Sequence, residues 1–153
     1  MFFVHFRGTS FVADRDGGVA GFLVGFLSPS EPAEAYVHFV GVSPEERRSG
    51  LGRTLYERFF ELARANGRTR VSCVTSPLNG GSIAFHTALG FEPSPPKGRL
   101  RRPRRGQGRA HAVALSRTAG RESPGRDRRG DKRSGETERQ VAEGVRVGGL
   151  ELG

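Results

Sequence analysis

Every aromatic side chain in this sequence lies at or before Phe91, all eleven Phe and both Tyr. A stretch without aromatics and with few large aliphatics cannot bury enough apolar surface to offset its ordering entropy. The core is therefore expected within residues 1–95, small for a domain but feasible. Residues 96–153, dominated by Arg, Gly, Pro and Ser, are expected to form a disordered tail outside it. Charge divides at the same place. Residues 1–95 carry nine Arg against nine Asp and Glu, so the whole formal charge of +9 belongs to 96–153.

Several classes fall quickly. One cysteine, Cys73, excludes a disulfide framework and a Cys-cluster metal site. No apolar run reaches the roughly 18–20 residues of a membrane span. The start, Met1 to Arg7, has neither the basic region nor the long apolar stretch of a signal peptide, so the cytosol is the default location.

Along residues 1–95, hydropathy alternates between two periods. Ser10–Ala13 reads as a strand, Asp14–Gly18 as a turn, and Val19–Leu27 as the second strand of a hairpin. Glu34–Val42 is a third strand. Alternation is expected to put Tyr36, His38, Val40 and Val42 on one face, and Ala35, Val37, Phe39 and Gly41 on the other. Leu51, Leu55, Phe59 and Leu62 mark a helix that Asn66-Gly67 ends. Arg70–Thr75 is a fourth strand and Asn79–Leu89 a second helix. Phe91 begins another strand. Beyond Pro93 only Ala110–Ser116 has apolar character, and it is short and isolated.

The chemistry concentrates where strand 34–42 passes into the first long helix through Arg47-Arg48-Ser49-Gly50-Leu51-Gly52. A helix start offers unpaired N–H groups and the positive end of its dipole. Glycines let backbone approach an anion closely, and arginines add charge, which together suit a pyrophosphate. The segment is not a Walker A loop, and Leu55 breaks the dinucleotide G-x-G-x-x-G pattern. Alone, the string also fits a solvated turn capped by Gly.

Farther on comes Asn79-x-x-Ser82-x-x-Phe85-His86-x-x-x-Gly90-Phe91. In this order, with a strand between, the two segments resemble the signature motifs of the GNAT superfamily of acyl-CoA-dependent N-acetyltransferases. Phe39–Pro44 and Cys73–Pro77 are similar to that family as well, and the resemblance covers residues 1–93. It implies a mixed α/β fold, a mostly antiparallel sheet flanked by helices. It also implies acetyl-CoA as co-substrate, lying in a V-shaped gap between the strands at 34–42 and 70–76, and no metal. The matching residues imply that Arg47, Arg48, Ser49, Gly50, Leu51, Gly52 and Arg53 hold the pyrophosphate. Val40 and Val42 would bond pantetheine through their main chain, and Asn79 and Ser82 belong to the second motif. The family's transfer is direct attack by an amine on the thioester in a ternary complex.

The family often has a Glu base where this sequence has Tyr36. His38 is then the candidate base, as in the arylalkylamine branch; the other reading is a strand His satisfied by a neighbour. His86 takes the place of the family's Tyr. It is either the acid that protonates departing thiolate or a residue that caps a pocket. Cys73 reads as a buried strand residue. The implied partner is a small amine, and a homodimer is compatible with it; no membrane partner is implied.

Against the family's usual extent, the chain is expected to be truncated at its N-terminus, with Phe2–Arg7 ending a helical region. Its closing hairpin is expected to be replaced by the tail. Gly98–Arg104 can be back-translated so that the next frame reads Val-Asp-Tyr-Asp-Gly-Pro, which is similar to the continuation in bacterial relatives. Two other readings follow from these features. One is an inactive truncated relative; the other is non-specific nucleic-acid binding through the basic tail.

Overall fold

The computed structural model describes residues 2–93, 113–120 and 145–147. The first hairpin follows from its turn. Asp16 and Gly17 both take positive φ, 53° and 79°, the geometry that joins two antiparallel strands through two residues. It links β1 (Phe11–Arg15) to β2 (Gly18–Leu27). Before it lie a short helix α1 (Phe2–His5) and a 3-10 turn (Arg7–Thr9). After it come β3 (Glu34–Val42), a 3-10 turn (Pro44–Glu46), α2 (Leu51–Ala65), β4 (Arg70–Thr75) and α3 (Gly80–Ala88). Three more strands complete the description: β5 (Glu92–Pro93), β6 (Val113–Thr118) and β7 (Val145–Val147). The sheet order is β5-β6-β4-β3-β2-β1-β7. Only β3 and β4 run parallel, and every other neighbouring pair is antiparallel.

The spacing that predicts α2 also decides what it buries. Leu51, Leu55, Tyr56, Phe59, Phe60 and Ala63 form its inner face. They pack on Phe11, Leu23, Ala35, Val37, Val71 and Cys73 of the sheet. Gly25 of β2 lies directly under the Phe59 ring, and a methyl group there would overlap it. The helix ends where Gly67 takes φ 71°, the left-handed geometry that Gly supplies at low cost.

The regular alternation expected of β3 does not hold. Opposite β2, Val24 pairs with Phe39 and Gly25 with Val37, so His38 is an extra residue, a β-bulge. Beyond the bulge the faces exchange. Ala35 and Val37 face α2, and so do Val40 and Val42, which pack against the same core. Tyr36, His38, Phe39 and Gly41 lie on the opposite face. The His38 and Phe39 ring centroids are 4.1 Å apart, a closeness that alternating strand neighbours do not reach. His38 therefore does not share a face with Val40 and Val42.

The boundary expected at residue 95 also needs correction. Val113–Thr118 pairs along the full length of β4, from Arg70–Thr118 to Thr75–Val113. Glu92–Pro93 pairs with Leu115–Ser116, so a hairpin-like closure follows Phe91 after all. Leu115 and Ala119 join the main core. Arg117 is 5 % exposed, with its guanidinium 4.4 Å from the Phe60 ring centre. β7 adds a strand beside β1. The expectations for the remainder of 96–153, including Gly98–Arg104, lie outside the described residues.

Leu115→Ala tests the integration of β6. It should lower stability by about 2–5 kcal/mol, the usual cost for a buried leucine, measured as a shift in the urea midpoint. A dispensable tail residue would leave that midpoint in place.

Candidate active site

The parallel ladder between β3 and β4 is short. It runs from Glu34–Arg70 to Val37–Cys73, yet β3 continues to Val42 and β4 to Thr75. Past the last rung, beside the His38 bulge, the two strands no longer pair, which leaves an opening between them. Backbone directions there follow from one hydrogen bond: Ser43 N–H donates to the Ala20 carbonyl at 2.8 Å. Ser43 and Gly41 thus turn their main-chain groups toward β2, and by alternation Val40 and Val42 turn theirs into the opening.

The far end of the opening meets the start of α2. Arg47 is extended with ψ 139°, Arg48 takes φ 69°, and Gly50 takes φ 95°. The last value suits only glycine, which explains Gly at this position. Gly50 is the N-cap and supplies no side-chain cap. The amides of Gly52 and Arg53 in the first turn of α2 therefore remain available to an anion, with the dipole behind them. Ser49 Oγ donates to the Glu46 carbonyl at 2.7 Å and accepts from Leu51 N–H at 3.3 Å, which shapes the turn. A methyl group on Gly52 would come within 3.1 Å of Phe85 and 3.6 Å of Val42. This glycine is what lets α2, α3 and β3 converge. Arg47 and Arg48 are exposed. Arg53 reaches instead toward the Ala88 carbonyl at 3.4 Å and Glu57 at 3.8 Å.

Asn79 and Ser82 have local structural work. Asn79 Oδ1 accepts from Ser82 N–H at 3.0 Å and caps α3. Ser82 Oγ accepts from Thr75 Oγ1 at 2.9 Å and ties α3 to the open end of β4. One turn later stands His86, only 4 % exposed. Its Nδ1 lies 2.6 Å from the Ser82 carbonyl, an acceptor only, so Nδ1 carries the proton. Nε2 then accepts from Tyr56 Oη at 2.7 Å. Tyr56 and His86 thus join α2 and α3 through one buried bond. Burial pushes the Cys73 thiol up to about 12, against a smaller opposing effect of Tyr56. Burial likewise raises the Tyr56 phenol. It lowers the His86 imidazole, and the bond to Ser82 only partly opposes that.

His38 faces the other side of the sheet, near Tyr36. Burial, and to a lesser degree the neighbouring Cys73 and Glu34, raise the Tyr36 phenol. Tyr36 stacks against Phe26 and Phe26 against Phe6, at centroid distances of 5.4 Å and 5.3 Å. Phe39, 54 % exposed, lies beside His38 on this face. The two histidines named from sequence are therefore separated. His86 is buried under α3, and His38 lies at the bulge on the opposite face.

The pattern of the acetyltransferase (GNAT) family matches residues 2–91, more than half of the chain. The chain belongs to the GNAT acetyltransferase family. An L-2,4-diaminobutyric acid acetyltransferase of Nocardia farcinica is 38% identical over 84 residues, covering 55% of this chain and 44% of that protein. A mycothiol acetyltransferase of Thermobispora bispora is 35% identical over 89 residues, covering 53% and 29%. The solved structure of a nourseothricin acetyltransferase superposes with a TM-score of 0.61 at 26% identity, covering 72% of this chain and 64% of that one. This GNAT chain thus spans less than half the length of the two curated relatives. Among its described residues no helix is long and apolar enough to cross a membrane. No group of three His, Cys, Asp or Glu there is placed to hold a metal.

Tyr56 is the site residue that sequence reasoning missed in this GNAT domain. Helical spacing marks it as core, but nothing local marks its hydroxyl as the partner of a histidine thirty residues away. The network has a pH signature. The unfolded chain protonates His86 near pH 6.5, before the folded chain does. Stability should therefore be complete above about pH 6.5 and fall as pH drops through the interval down to the lowered folded value. Thermal melts across pH 4.5–8 should show this component in the wild type and lose it in His86→Gln.

Proposed function

We propose that this chain binds acetyl-CoA in the opening between β3 and β4 and transfers the acetyl group to a primary amine by direct attack. The observation that carries the reading is the convergence of two backbone features on one gap. The main-chain groups of Val40 and Val42 face it, and the uncapped start of α2 closes its far end. Amides of Gly50, Gly52 and Arg53 would take the pyrophosphate, with Arg47 and Arg48 supplying charge. Pantetheine would lie along Val40 and Val42 as an added strand. Ser82 and Asn79 would act indirectly, by fixing α3 against the gap.

The transfer then needs positioning, an oxyanion donor and a route for one proton. The neutral amine attacks the thioester carbonyl carbon, the tetrahedral adduct collapses, and the C–S bond breaks. The amine proton passes to His38, on the face opposite α2, and from there to solvent. The departing thiolate takes its proton from water. His86 does not fill that acid role in this scheme, because its N–H is committed to Ser82 and its other nitrogen to Tyr56. It holds α3 in place instead. The acceptor is a small amine-bearing molecule, the class to which the substrate named for the diaminobutyric acid acetyltransferase belongs.

Calorimetric titration of the full chain with acetyl-CoA tests the reading. The wild type should bind. Gly52→Val should weaken binding at least about tenfold by pressing on Phe85. Absence of binding by the wild type refutes the proposal. His38→Ala should leave acetyl-CoA affinity intact and lower kcat by about 100-fold or more. An unchanged kcat would assign His38 to packing alone.

A further inference from the structure

Arg15 lies on β1, two strands away from the anion-binding turn, and sequence gives it no part in the site. The structure joins the two. Arg15 Nη1 lies 2.7 Å from Glu46 Oε1 across 31 residues of sequence. The Glu46 side chain is 12% exposed and that of Arg15 47%. Glu46 ends the 3-10 turn that leads into Arg47–Gly50. Its carbonyl accepts from both the N–H and the hydroxyl of Ser49, at 3.3 Å and 2.7 Å. Ser49 in turn accepts from the first amide of α2. Glu46 is therefore the residue through which the turn takes its shape, and Arg15 is the partner that holds its carboxylate.

The anchor on the other side is stiff. Arg15 pairs with Gly18 across the two-residue turn at Asp16-Gly17. The same hairpin touches the site at two further points. Ala20 accepts from Ser43 N–H, and Gly21 packs so closely on Leu51 that a methyl group would stand 3.0 Å from it. Main-chain bond, ion pair and close packing thus fix the turn and the start of α2 to one hairpin.

We propose that Arg15 is a positioning residue for acyl-CoA binding, acting through Glu46. This rests on the opening being the acetyl-CoA site. The pair does two things. It sets the conformation in which Arg48 and Gly50 take positive φ and the helix amides face outward. It also neutralises a carboxylate four residues before Gly50, which would otherwise repel a bound pyrophosphate.

These two effects separate in mutants. Arg15→Gln loses the clamp and leaves the carboxylate charged. Its affinity for CoA, measured calorimetrically on the full chain, should fall about three- to tenfold, in keeping with a partly exposed pair beside a charged ligand. Glu46→Gln loses the clamp but also the negative charge, so its loss should be smaller. The charge swap R15E/E46R should return affinity to within about twofold of wild type, and added salt should narrow the gap between wild type and Arg15→Gln. Thermal midpoints recorded alongside separate binding from folding. A lowered midpoint with unchanged affinity in Arg15→Gln, or a swap no better than Arg15→Glu alone, overturns the proposal. A wild type that fails to bind CoA removes the functional reading and the clamp together, whereas a binding wild type with an indifferent Arg15→Gln removes the clamp alone.

Discussion

One inserted residue governs the geometry on which the rest depends. The side-chain period of a strand is two, so a single extra residue transfers everything beyond it to the other face. His38 is that residue in β3. Before it, Ala35 and Val37 supply the core, and after it Val40 and Val42 do so. The ladder to β4 stops one residue earlier, at Val37–Cys73. A strand that bends and twists at a bulge departs from its parallel neighbour, and the opening is the product. The same event sets His38 and Phe39 side by side on the face away from α2.

The helix that closes the opening is held by its middle rather than by its end. Gly50 gives no side-chain cap, and the local side-chain bond at the first turn of α2 takes only the Leu51 amide, on Ser49 Oγ. The position of the helix comes from Leu55, Tyr56 and Phe59, fully buried against the sheet, and from the hydroxyl of Tyr56 on His86. Leaving a buried polar group without its partner costs about 1–3 kcal/mol. Loss of either member of that pair would therefore loosen α2 against α3 and the convergence at Gly52. The amides can stay open because the body of the helix is packed so closely.

Much of this was legible in the sequence, and what was not has physical causes. The spacing of Leu51, Leu55 and Phe59 marked α2, and the segment Asn79–Leu89 read as the second helix, because these signals are local. The bulge was not legible, since His38 continues an alternating pattern without a glycine to mark the irregularity. Tyr56 and His86 each look ordinary alone, and their bond is a product of tertiary packing. Strand β6 was misjudged because Ala114, Leu115 and Ser116 are small or few. It needs little apolar mass of its own, since β4, Phe60 and Phe91 already supply the surroundings that Leu115 and Arg117 enter.

The position of β6 also bears on the order in which the molecule can assemble. β4 has one neighbour, β3, that precedes it in the chain, and another, β6, that begins only at Val113. During synthesis the N-terminal strands and α2 can collapse while one edge of β4 still waits for its partner. Pairing across that sequence separation is entropically slow, and an open edge is a template for pairing with other chains. The interval between emergence of Thr75 and of Thr118 from the ribosome is thus one in which this edge of β4 is open to misassociation.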